Sequence, residues 1–225
     1  MKKLAFLCLF LIVLKTLGQT TISQNLGDFN EIKVYNGIEV ELIKSTVQKA
    51  EISGAKADKV TIKNDGKTLK ILLKLPETLA SDKAMVRLYY NKNIAIIDGN
   101  EGATITGKDL NQPELEVKVQ EGAFINLVVN TNYLKVKASS GGVLKLSGTT
   151  KNQEVNVDLG GVYHGYKLLA RDLSIVNAGS GAKAEINAGD ILDLKVTFGG
   201  SIYYKGEPKS LKNKKVIGGI IEQRS

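Results

Sequence analysis

Glycines recur through the second half of the chain at a nearly constant interval. They are Gly102, Gly122, Gly141, Gly160, Gly181, Gly199 and Gly218, separated by 20, 19, 19, 21, 18 and 19 residues. Short alternating apolar segments lie on both sides of each one. A unit of this length is one coil of a solenoid: it cannot bury its own apolar face and has to stack on its neighbours. The glycines suit the corners, where a strand that turns needs positive φ or a close approach of backbones. Gly141-Gly142, Gly160-Gly161, Gly199-Gly200 and Gly218-Gly219 serve this, and Ala178-Gly179-Ser180-Gly181 is a longer version. A phosphate-cradling loop would need a helix after the glycines, and no helical period follows any of them.

The coils superpose. Before the corner, Val117, Val136, Val155, Ile175 and Leu194 form one column. Val119, Ala138, Val157, Asn177 and Val196 follow two residues later, and Leu115, Leu134, Gln153, Leu173 and Leu192 precede by two. Period-two alternation turns all three columns inward. After the corner, Ile125, Leu144, Tyr163, Ala184 and Ile202 begin a second inner wall, continued by Leu127, Leu146, Gly165, Ile186 and Tyr204. Outward columns include Glu116, Lys135 and Glu154, of alternating sign, and Lys118, Lys137, Asn156, Val176 and Lys195. The pattern predicts an all-β, single-stranded parallel β-helix over residues 96–225, right-handed by the default for parallel crossovers.

Residues 19–95 are less regular. Ile32 and Val34 lead to Asn36-Gly37, then Val40 and Leu42; Val60 and Ile62 lead to Asn64-Asp65-Gly66, then Leu69, Ile71 and Leu73. Both glycine dipeptides read as hairpin signals. Pro76 to Lys83 reads as a loop, Val86, Leu88 and Tyr90 as one more strand, and Ile94 and Ile96 as the entry to the regular series. This part is expected to close one end of the solenoid, where bare strand edges would invite aggregation. No linker separates it from the coils, so one continuous body is expected.

The first eighteen residues stand apart. Lys2 and Lys3 precede an apolar run from Leu4 to Leu14, and Thr16-Leu17-Gly18 supplies small residues after Lys15. The run is about half the ~20 residues that a membrane span needs, which predicts an export signal over residues 1–18, with Gln19 first in the mature chain. Cys8, the sole cysteine, follows Leu7 rather than a small residue, so lipidation is not expected. The mature chain would hold no thiol and no transmembrane span. The 225-residue chain carries a formal charge of +8; loss of residues 1–18 removes three lysines and no acid, leaving a surplus of five. With export, and without lysine clusters interleaved with aromatics, nucleic acid is not an expected partner.

Candidate sites are few. The single histidine, His164, is read as an ordinary outward surface residue, since a catalytic triad would need a nucleophile and a carboxylate set beside it that no sequence spacing supplies, and histidine and cysteine together cannot furnish a zinc site. Asp98, Glu101 and Glu121 are the acids a polysaccharide-cleaving β-helix would use, Glu101 and Glu121 preceding successive corners. A more suggestive feature is the outward column Asn126, Lys145, His164, Glu185 and Tyr203, an aromatic with hydrogen-bonding neighbours.

The stretch Phe29-Asn30-Glu31-Ile32-Lys33-Val34-Tyr35-Asn36-Gly37-Ile38-Glu39-Val40, the later glycine corners, and Gly199-Gly200-Ser201-Ile202-Tyr203-Tyr204-Lys205-Gly206-Glu207-Pro208 followed by Val216-Ile217-Gly218-Gly219 together resemble the putative auto-transporter adhesin family, head GIN domain, of exported Gram-negative proteins. The resemblance spans the chain from Phe29 onward. It implies a β-helical domain with an adhesive role toward a glycan or protein ligand at the envelope or outside the cell, and it brings no catalytic residues and no cofactor. No heptad stalk and no C-terminal series of membrane strands is legible, so periplasm, outer membrane and medium are equal expectations. The alternatives are a polysaccharide-processing enzyme and a structural envelope protein that self-associates.

Overall fold

The computed structural model describes residues 21–74 and 84–224. The expected export signal over residues 1–18 and the expected loop from Pro76 to Lys83 lie outside these residues. The described chain forms a single 18-stranded sheet wound on itself, with one 3-10 turn at Ala57–Lys59. The N-terminal strands are β1 (Ile22–Asn25), β2 (Glu31–Val34), β3 (Glu39–Lys44), β4 (Lys49–Gly54), β5 (Val60–Asp65), β6 (Thr68–Leu73) and β7 (Ala84–Tyr90). The regular coils follow as β8 (Ile96–Gly99), β9 (Thr104–Asn111), β10 (Glu114–Val119), β11 (Phe124–Ala138), β12 (Val143–Val157) and β13 (Val162–Ala178). The last coils are β14 (Lys183–Ala188), β15 (Ile191–Val196), β16 (Ser201–Lys205), β17 (Ser210–Lys215) and β18 (Ile220–Gln223).

Two long parallel walls result. One stacks β6, β2, β8, β10, the C-terminal halves of β11, β12 and β13, then β15 and β17. The other stacks β7, β3, β9, the N-terminal halves of β11, β12 and β13, then β14, β16 and β18. The long strands β11 to β13 run round the corner opposite the glycines; β11 and β12 keep one register from Phe124↔Val143 to Ala138↔Val157, whereas β13 slips against β12. The chain is a β-solenoid, as its 19-residue period predicts.

The N-terminal end closes by a different rule. β5 pairs antiparallel with β6, β4 with β7 and β1 with β4, which covers both exposed edges. The coil β2–β3 does not form the hairpin that Asn36-Gly37 suggests. Its strands lie in different walls, sandwiched between the capping strands β6 and β7 and the coil β8–β9. Asn36-Gly37 is the first solenoid corner, with φ of 57° and 66°. Asn-Gly satisfies a type I′ hairpin and this corner equally, because both ask for two successive left-handed residues. Asn64-Asp65-Gly66 does close a hairpin, between β5 and β6.

Six later corners repeat the left-handed pair: Glu101-Gly102, Glu121-Gly122, Ser140-Gly141, Leu159-Gly160, Ser180-Gly181 and Phe198-Gly199; at the last corner it falls on Gly218-Gly219 instead. The glycine N–H donates to the carbonyl of the residue before the next glycine, as in Gly102 to Glu121 at 2.9 Å and Gly160 to Ser180 at 3.1 Å. The corners thus form a hydrogen-bonded ladder of their own along the axis.

The core fills the space between the walls. Ile32, Ile71, Ile97, Val117, Val136, Val155, Leu144 and Ile202 are all fully buried. Two details differ from the sequence pattern. The inward residue of β8 is Ile97, not Ile96, which faces out beside Glu116. In β13 the inward column is Ser174, Val176 and Ala178, while Leu173, Ile175 and Asn177 face outward. The cause is the long interval from Gly160 to Gly181. β13 carries two register slips against β12, one between Lys145 and Ser147 and one between Thr150 and Asn152. By Val155 the offset has grown by two residues, and a one-residue error in placing them turns every side chain over.

Several polar groups inside the coils are paired, though the buried Tyr90 hydroxyl is not. Tyr163 donates to Gln153 Oε1 at 3.3 Å, and Gln153 Nε2 donates to Ser174 Oγ at 2.9 Å. Thr131 Oγ1 donates to Thr150 Oγ1 at 2.9 Å. Gln112 donates from Nε2 to the Ile94 carbonyl at 2.7 Å and accepts from the Ile94 N–H at 3.2 Å, imitating a strand partner for the start of the regular coils.

Candidate ligand-binding face

The outward column of the second wall is continuous. Asn126, Lys145, His164, Glu185 and Tyr203 occupy successive rungs. At ~4.8 Å per rung they span roughly 19 Å. The column extends beyond them to Thr106, Glu41 and Arg87 on one side and to Glu222 on the other.

Its C-terminal end is densely functionalised. Nδ1 of His164 lies 2.8 Å from Oε2 of Glu185, whose Oε1 receives Lys183 Nζ at 2.6 Å. Burial pushes the Glu185 carboxyl up, but the hydrogen bonds from Lys183 and His164 outweigh it and hold the group below the ordinary glutamate range. The Tyr203 ring is not bare: the Arg224 guanidinium stacks 3.7 Å from its centroid, and Lys183 Nζ lies at 5.5 Å. Tyr166 stands beside them, with Lys205 Nζ 5.8 Å from its ring. Its hydroxyl is buried with no protein partner, and burial raises its pKa. An anion or a sugar hydroxyl would meet cationic donors, a carboxylate acceptor and aromatic faces here.

The other end of the column opens into a groove. Two concavities, of about 350 and 520 Å³, share Lys44, Asp109 and Val128. The first takes in Glu41, Thr106 and Asn126 of the column. A slip of β9 against β11 between Leu127 and Val129 sets Lys108 and Asp109 against the single residue Val128, and Asp109 takes φ 59° to accommodate it. On the opposite wall a third concavity, of about 380 Å³, forms beside Gly179, which leaves a gap between Asp158 and Thr197.

The acids considered for catalysis do not converge as a trio. Glu101 and Glu121 occupy successive corners, with Glu101 Oε2 accepting from Asn36 Nδ2. Asp98 instead is buried in the first wall, accepting from Asn100 Nδ2 at 3.1 Å with Lys33 Nζ at 4.0 Å. Among the described residues no cluster of three or more histidine, cysteine, aspartate or glutamate side chains is placed to hold a metal. No helix there is long and apolar enough to cross a membrane.

Three members of the face were not singled out from sequence. Lys183 and Arg224 sit two residues from Glu185 and Glu222 on the same strand face, so alternation alone could have found them. Tyr166 joins through the bulge in β13, which periodicity does not reveal.

A parallel β-solenoid of stacked corners with a polar, aromatic lateral face is the class these features define. The chain belongs to the family described as "Putative auto-transporter adhesin, head GIN domain", whose model matches residues 28–208. No curated protein matches it in sequence. Among solved structures it is similar in fold to a putative adhesin from Bacteroides fragilis, with a TM-score of 0.79 and 18% identity over 92% of this chain and 97% of that one. A putative adhesin from Parabacteroides merdae has a TM-score of 0.67 at 18% identity, covering 92% and 96%. A protein from Parabacteroides distasonis titled as a putative lipid binding protein has a TM-score of 0.65 at 18% identity, covering 92% and 97%.

Proposed function

We propose that this chain is an exported, non-catalytic adhesion-type module that holds a glycan or protein ligand at the cell envelope or outside the cell. The ligand lies along the column of Asn126, Lys145, His164, Glu185 and Tyr203. The observation that carries the reading is the assembly of Lys183, Glu185, His164, Tyr203 and Arg224 on one exposed, rigid face. Side chains fixed by a solenoid ladder lose little freedom on binding, so a modest set of polar contacts yields usable affinity. Family membership supports an adhesive role, and the seven corner glycines act in this reading as scaffold alone.

The test is an array of glycans and matrix proteins probed with the chain, followed by titration of any hit. Lys145→Ala and Tyr203→Ala should each weaken binding about tenfold, roughly 1.4 kcal/mol, with unchanged unfolding midpoints. An intact chain that retains nothing on such an array would overturn the proposal. Fractionation into periplasm, outer membrane and medium reports whether the protein reaches such a ligand.

A further inference from the structure

The position before each corner glycine, left-handed at every corner except the last, lines up along the solenoid as a ridge that is exposed from Glu101 onward. In the N-terminal coils it holds Asn36, Glu101, Glu121 and Ser140, short or polar residues that suit an exposed left-handed site. The C-terminal coils depart from this. Leu159 and Phe198 hold φ of 47° and 49° while 61% and 63% exposed. Ile217 occupies the equivalent place before Gly218 and is 56% exposed, although its own backbone is not left-handed, the positive φ there falling on Gly218 and Gly219. Val216 and Ile220 beside Ile217 are exposed as well. Bulky apolar side chains at positive φ are conformational outliers, and Leu159 and Phe198 are mostly exposed rather than packed into the core.

The surroundings select an occupant. Phe198, Leu159 and Ile217 are the most exposed large apolar side chains among the described residues, so their tips suit a deformable apolar surface better than an enclosed pocket. Along its first-wall flank stand Lys137, Lys195 and Lys214, exposed and three residues before Ser140, Phe198 and Ile217 respectively. Lys212 and Lys215 add charge on β17, the outermost strand of the first wall. Asp158, next to Leu159, has its carboxylate turned to the Leu159 N–H at 2.8 Å. A second copy of the chain is a poor fit for this end, because lysines on an outermost strand oppose edge pairing. We propose that the ridge of Leu159, Phe198 and Ile217 seats the protein on an anionic lipid surface, the apolar tips entering the interface while Lys195 and Lys214 meet the headgroups. The ridge is distinct from the column of the preceding section, so a module docked this way keeps that column free.

The test is flotation with vesicles of phosphatidylcholine alone or with 30% phosphatidylglycerol. The chain from Gln19 onward is used, since the run from Leu4 to Leu14 would partition by itself and all eighteen strands begin at Ile22 or later. Binding should be at least tenfold stronger to the anionic vesicles and weaken with salt. Leu159→Ser with Phe198→Ser should lower it at least tenfold without lowering the unfolding midpoint, because Ser140 and Ser180 already occupy this ridge position. Phe198→Trp gives a reporter in a chain without tryptophan, and its emission should shift to the blue on anionic vesicles. Equal flotation of the double serine variant overturns the proposal. So does a wild-type dimer that the serine variant abolishes without any lipid binding, which would assign the ridge to a protein partner.

Discussion

His164 and Glu185 lie on adjacent rungs of the second wall, with Nδ1 and Oε2 2.8 Å apart. The spacing follows from parallel register, which sets each residue directly over its counterpart in the next coil. With Lys183 on the other carboxylate oxygen at 2.6 Å, the glutamate becomes the anchor of the face.

That anchoring predicts a pH signature. The Glu185 carboxyl titrates below its ordinary value in the folded chain. Its stabilisation is therefore complete above the ordinary glutamate range and is lost as pH falls through the depressed value. Glu185→Gln should cost about 1 kcal/mol at neutral pH, because its partners are partly exposed. Urea midpoints of the two proteins should converge as pH is lowered past that range; a constant gap would show that the pairing carries no charge-dependent energy.

Asp98 should behave with the opposite sign. Burial raises its carboxyl above the ordinary aspartate value, against the opposing pull of Lys33, Lys118 and the Asn100 hydrogen bond. The folded chain therefore binds this proton more readily than the unfolded chain does. Its contribution to stability is greatest at low pH and declines as pH rises through the raised value. Asp98→Asn keeps the acceptor for Asn100 and removes the buried charge. It should equal or exceed the parent at pH 7, by up to about 1 kcal/mol, and lose that advantage in acid. Denaturant titrations at the two pH values check this.

The corner glycines separate two physical causes of conservation of shape. A Cβ on Gly160 would meet nothing within 4 Å, yet φ is 72°. Gly160→Ala should then cost only the left-handed penalty of about 1–2 kcal/mol. A Cβ on Gly161 would lie 2.3 Å from the Ala138 carbonyl oxygen of the neighbouring coil. Gly161→Ala must push two rungs apart and should cost at least about 3 kcal/mol, in the range of severe core disruptions. Thermal midpoints that rank the two variants the other way would refute this account of the corners.

The same contrast explains what could be read from sequence. The glycine period marks the corners because glycine takes positive φ freely, and offsets counted from a nearby glycine placed Asn126, Lys145, His164, Glu185 and Tyr203 on one column. Counting fails where residues are inserted between two glycines. The interval from Gly160 to Gly181 holds two extra residues, nothing local says where they bulge, and so Ile175 was expected inward where Val176 is. Asn36-Gly37 misleads for another reason: the dipeptide specifies a backbone shape and not which strands pair across it. The threading of β2 and β3 between the cap and the first regular coil depends on long-range pairing that no local pattern encodes. Tyr166 reaches the face only through the β13 bulge, whereas Lys183 and Arg224 were within reach of simple alternation from Glu185 and Glu222.

The inward threonines offer a test of how the coils tolerate buried polarity. Thr131 donates to Thr150 at 2.9 Å, and Thr150 donates in turn to the Asn152 carbonyl at 3.0 Å. Both side chains are buried. Thr150→Val strands the Thr131 hydroxyl in the core and should cost about 1–3 kcal/mol, the desolvation of an unpaired polar group. Thr131→Val leaves Thr150 its bond to Asn152 and should cost less. Changing both to valine removes the donor and acceptor together within the same volume. The double variant should therefore be more stable than the sum of the two single losses predicts, with a coupling of about 0.5–1.5 kcal/mol between residues in direct contact. A double-mutant cycle in urea measures it. Strict additivity would mean that the two hydroxyls do not bond to each other, and that β11 and β12 are held together here by their backbone ladder alone.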